Sequence, residues 1–296
     1  MGEKKQRESR NQRLLKENPT CCFCGGATPS STVDHVPPKA CFPAGFFPEG
    51  FEFAACASCN ASTRKDDQIF AYYSQLADPN WKNKDLKTFL KIQNGVRNNF
   101  PGALPNVNLD NEAKKKALKE MGIEPPPDDL LAKVPLAGIP GEFDAAATTV
   151  GRKLACALYH RETQKVLSKD HFIWTGVVHL PDPRVEALGK YLENLLPDQV
   201  KGARENVKEY GERFGYRSGY KEKEDFFMSA AQFGRGFAVI CVTGKRDAGY
   251  KLPPGEQHSI FDPPAPEGAV VAEQAVEGAV QAPAQAVAAP EAGQPA

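Results

Sequence analysis

Cys21 and Cys24 are separated by two residues, and so are Cys56 and Cys59. Two such C-x2-C pairs in one short segment bring four thiolates within reach of a single tetrahedral zinc. Cys22 competes with Cys21 for the first place, but the C-x2-C spacing favours Cys21 with Cys24. Between the pairs lies Asp34-His35-Val36-Pro37-Pro38, and Asn60 follows directly on the last cysteine. A structural zinc requires neither the carboxylate–imidazole pair nor the amide. Imidazole titrates near neutrality and can take a proton from water. A carboxylate and an amide oxygen are ligand types for a hard divalent ion, which would neutralise charge developing on a phosphate.

In this order and spacing the residues resemble the HNH endonuclease family in its cysteine-framed form. The resemblance rests on Cys21-x2-Cys24, Asp34-His35-x-Pro37 and Cys56-x2-Cys59-Asn60, with Ser62, Lys65 and Asp66 just beyond. It implies an N-terminal module of two strands and a helix around one metal (ββα-metal), buttressed by a structural Zn2+ on Cys21, Cys24, Cys56 and Cys59. It further implies His35 as general base, with Asp34 and Asn60 as ligands of a catalytic Mg2+ or other divalent ion. The activity implied is hydrolysis of phosphodiester bonds in nucleic acid, DNA before RNA. The family usually has an Asn a few residues before the second cysteine pair, where this chain reads Gly50-Phe51-Glu52-Phe53. The competing expectation is a non-catalytic zinc-binding module for nucleic acid or protein, with a decayed HNH site.

These side chains need elements to carry them. Ser31 to Val36 is predicted as a short strand, which would point Asp34 and His35 to opposite faces, and Pro37-Pro38 ends it. Gly25-Gly26 suits a knuckle in which the backbone turns sharply around the first sulfurs. A helix is expected from Asn60 or Ser62, with Ser62 as candidate N-cap and Ile69, Phe70, Tyr73 and Leu76 at helical spacing. Arg64 and Lys65 on it are either phosphate contacts or solvated charges.

The rest of the chain divides by pattern into a basic arm (1–17), the HNH-like module (18–78), a helical and irregular linker (79–141), an α+β accessory domain (142–250) and a tail (251–296). The arm carries six Lys or Arg side chains and no apolar stripe, so it is either a solubilising terminus or a grip for phosphate. Helices are expected over 81–96, 111–121, 142–161 and 183–196, and strands over 172–180, 213–220, 225–232 and 236–243. The last strand is nearly all apolar, which predicts burial on both faces. Phe233-Gly234-Arg235-Gly236 reads as a hairpin turn, and His160, His171 and His179 as packing residues. The fold class is α+β. The tail, rich in Ala, Pro, Glu and Gln, cannot bury enough apolar surface to offset its ordering entropy and is expected to be disordered.

Lys and Arg together number 37 and so do Asp and Glu, so any nucleic-acid surface must be local. Eight cysteines, four of them in metal-like spacing, point to a reducing compartment, and Cys41, Cys156 and Cys241 read as buried thiols. No apolar run approaches the roughly 20 residues of a membrane span. A cytoplasmic protein is expected, with nucleic acid as partner, no membrane, and a homodimer or larger assembly through residues 142–250.

Overall fold

The computed structural model describes residues 2–42, 47–77, 86–120, 122–179, 213–250 and 257–258, and all of these fall in one compact unit, Met1–Pro263. The class is α+β. Helix α1 (Gly2–Glu17) leads into the first cysteine pair, followed by β1 (Thr32–His35) and β2 (Glu52–Ala55). The two strands pair antiparallel, with Asp34 opposite Phe53 and His35 opposite Glu52. Helix α2 (Ala57–Ser62) begins directly after the hairpin, and α3 (Arg64–Leu76) continues beyond a break at Thr63. Ser62 does not cap a helix. Cys56 caps α2, its Sγ accepting the Cys59 amide at 3.4 Å, while Ser62 Oγ donates back to the Cys59 carbonyl at 3.2 Å.

Helices α4 (Leu86–Asn99), α5 (Asn111–Glu120) and α6 (Asp128–Leu131) fill the region expected to be a linker. Helix α7 (Gly141–Thr163) then packs against both α3 and a sheet built from β3 (His171–His179), β4 (Phe214–Lys221), β5 (Phe226–Phe233), β6 (Phe237–Lys245) and β7 (Gln257–His258). The sheet is antiparallel in the order β4-β5-β6-β3-β7. Gly234, at φ 56, opens the tight β5–β6 turn. As expected, β6 is buried on both faces. Its Phe237, Val239 and Cys241 join one apolar cluster while Ile240 and Val242 join another, following the two-residue period of a strand.

Helix α7 is buried on more than one face. Leu154, Ala155, Cys156, Ala157 and Leu158 are all fully buried, because the helix is covered on more than one side. Small residues make this possible. A Cβ on Gly151 would come within 2.9 Å of the Thr175 side chain and 3.3 Å of Val239, so helix and sheet meet closely there. The result is a single core running from Cys21 through Phe70 and Leu154 to Cys241. The described parts of 18–78 and 142–250, set apart on sequence, are therefore packed on each other. The helix expected over 183–196 lies outside the described residues, as does the tail except for Gln257–His258, which pair with β3. No helix among the described residues is long and apolar enough to cross a membrane.

Candidate metal centre and active site

The first cysteine pair sits in a loop whose glycines take left-handed backbone, Gly25 at φ 63 and Gly26 at φ 71. That turn lets backbone amides reach the sulfurs, and the Phe23 amide donates to Cys21 Sγ at 3.4 Å. The second pair is fixed by the start of α2. The ligand atoms of Cys21, Cys24, Cys56 and Cys59 all lie within 4.8 Å of one another, and all four residues are buried. A ZnS4 tetrahedron with bonds of about 2.3 Å has edges of about 3.8 Å, so the set fits zinc with little adjustment. A hydrogen bond from Cys59 brings the Cys21 thiol down to about 5, and the same bond raises Cys59, the two thiols sharing one proton between close sulfurs. Cys22 turns away, its Sγ donating to the Cys156 carbonyl at 3.6 Å. Burial pushes Cys41, Cys156 and Cys241 each up to about 12, as suits inert core thiols.

On the hairpin, adjacency separates Asp34 and His35. Asp34 is buried at 6% exposure, whereas the His35 side chain keeps 26%. His35 Nε2 lies 3.5 Å from Glu52 Oε1, directly across the strand pair. The ring meets Phe47 edge-on, 4.8 Å between centroids. The other Glu52 oxygen lies 3.3 Å from Arg10 of α1, so a chain of Arg10, Glu52 and His35 runs along the hairpin, exposed at the arginine and largely buried at the carboxylate. Sequence reasoning missed Glu52 and Arg10. The signal for Glu52 was its place in Gly50–Phe53, the stretch where the resembled family has its Asn.

Asp34 faces inward to a different group. Its Oδ2 lies 2.9 Å from Nζ of Lys153, which enters from α7 with only 1% of its side chain exposed. The same ammonium donates to Asp67 Oδ2 at 2.9 Å and Oδ1 at 3.1 Å, and to Thr63 Oγ1 at 3.0 Å. Burial pulls Lys153 down, but Asp34 and Asp67 together outweigh it and hold the ammonium above its ordinary range. Asp67 is raised, first by burial and then by Asp34, against the attraction of Lys153. Lys153 stands 86 and 90 residues from Asp67 and Thr63 in sequence, which is why no local motif revealed it. One sign was available: a lysine between Val150 and Ala157, on the apolar stripe of its helix, needs a buried anionic partner.

Asn60 lies in α2, beside β1. Its Nδ2 donates to Thr32 Oγ1 at 3.1 Å and to the Val33 carbonyl at 3.4 Å, tying α2 to β1. Asp34 thus faces the Lys153 ammonium, while the Asn60 amide nitrogen is bound to the strand. His160 and His171 do pack as expected. His171 is buried between Asp170 at 3.1 Å and Asp225 at 3.2 Å.

Compared with protein-family models, curated proteins and solved structures, the chain finds no match.

Proposed function

We propose that this chain is a zinc-framed nuclease of the HNH type, hydrolysing phosphodiester bonds in nucleic acid, DNA by resemblance. The observation that carries the proposal is the His35–Glu52 pair at 3.5 Å, on a strand–strand–helix unit framed by four buried thiols. In this reading the half-exposed imidazole takes a proton from the attacking water, and Glu52 orients the ring and stabilises the imidazolium that forms. Arg10, 46% exposed beside Glu52, is placed to meet a phosphate oxygen. A zinc on Cys21, Cys24, Cys56 and Cys59 would hold the hairpin to α2 and would take no part in the chemistry.

The second reading is a non-catalytic zinc module that binds nucleic acid or protein. One observation favours it: Lys153 neutralises Asp34 from within, where a nuclease of this type would carry its metal. Incubating the zinc-loaded chain with supercoiled plasmid and with single-stranded DNA and RNA separates the two. Nicked or cut products support the nuclease, and intact substrate that is nonetheless bound supports the module.

A further inference from the structure

Three acceptor groups close around one lysine. The Lys153 Nζ donates to Asp67 at 2.9 Å and Thr63 at 3.0 Å, and Asp34 Oδ2 lies 2.9 Å away as an ion pair, a buried oxygen with no hydrogen-bond donor of its own. The groups come from β1, the break before α3, and α3 itself, and they converge on a point that the lysine reaches from α7. Two carboxylates facing one ammonium leave excess negative charge in a buried place. A divalent ion would cancel that charge, with shorter contacts of about 2.0–2.1 Å for Mg2+, and two carboxylates with a hydroxyl are its ligand types. Both cations cannot occupy the point together.

We propose that Lys153 supplies the cation of this site, closing it to divalent ions, and that removing the ammonium converts Asp34, Asp67 and Thr63 into a site for a hard divalent cation. This rests on the geometry around Lys153 and not on cleavage. The ligand chemistry differs from that of the thiol cluster. Mn2+ prefers oxygen and leaves the zinc thiolates undisturbed.

The test titrates the zinc-loaded full chain with Mn2+, reading free ion by electron paramagnetic resonance. The parent is expected to bind no Mn2+ at micromolar concentrations. Lys153→Met is expected to bind one per chain, at least about 100-fold more tightly than any binding by the parent, since two buried charges have lost their partner. That binding should disappear in Lys153→Met combined with Asp67→Asn. If Lys153→Met does not fold in metal-poor buffer, Mn2+ should restore its folding, read as a cooperative thermal transition. The proposal is overturned if the parent takes up Mn2+ tightly and loses it on Asp34→Asn. It is equally overturned if Lys153→Met folds and binds none, or fails to fold with Mn2+ present. A chain that behaves as expected here but cuts no nucleic acid removes the nuclease reading alone.

Discussion

Glu52 faces His35 across the β1–β2 hairpin, its Oε1 3.5 Å from Nε2, while its second oxygen holds Arg10 at 3.3 Å. The carboxylate thereby links the imidazole to the helix that precedes the cysteines. If the ring is the base, Glu52→Ala should slow cleavage by up to about 100-fold, as misplacing a catalytic group does. Zinc content should stay at the parent level. Initial rates with metal content measured on the same samples check this, and unchanged rates would remove Glu52 from the site.

The thiol cluster gives a paired expectation. The purified chain should hold about one zinc that dialysis does not remove, and Cys59→Ser should release it and destabilise the chain as a whole. Cys22→Ala should keep the zinc, because its sulfur bonds to the Cys156 carbonyl instead. Elemental analysis that finds zinc lost in both variants would show that Cys22 is a ligand.

The shared core predicts shared unfolding. Phe70 of α3 is fully buried and lies 4.8 Å from Phe233 and 5.6 Å from Phe237 of the sheet, centroid to centroid. Phe70→Ala should destabilise the chain by about 3–5 kcal/mol. Loss of helix signal and of near-ultraviolet aromatic signal should coincide in urea. Two separate transitions, only one of them shifted, would show that the hairpin unit and the sheet fold independently.

Much of this arrangement was legible in local pattern. The cysteine spacing found the four thiols that converge, the apolar run over 236–243 found the doubly buried strand, and Phe233–Gly236 found its hairpin turn. Spacing also chose correctly between Cys21 and Cys22. What local pattern could not show were pairings made across the chain. His35 with Glu52 depends on hairpin register, and Lys153 with Asp34 depends on α7 packing against α3, which no short window contains. The same holds for the boundary near residue 141. Composition changes there, but Ala and Gly along α7 let two regions merge into one core.

A pH dependence follows from the network around Asp225. Burial pushes this carboxyl up, but hydroxyl donors, Tyr159 at 2.8 Å and Tyr220 at 2.9 Å, with His171 nearby, bring it below its ordinary range. A lowered carboxyl contributes stability above the unfolded value of about 3.9 that is lost as pH falls through the folded value. Tyr159→Phe removes one donor and moves the folded value back up. The stability gap between parent and variant should therefore be constant near neutrality and shrink below about pH 4. Urea unfolding across pH 3 to 7 measures it, and a gap that widens on acidification would contradict the assignment.

Cleavage by parent and His35→Ala, compared on supercoiled plasmid with and without Mg2+, Mn2+ or Ni2+, is the most direct measurement. His35→Ala leaves every thiol and the Lys153 cluster in place, so fold and zinc content should match the parent. Its rate should fall by about 10²–10⁴-fold, the contribution of a positioned general base, and no added metal should restore it. If His35→Ala cuts as fast as the parent, or the parent leaves every substrate intact, His35 is not the base of a nuclease and the zinc module is a binding element.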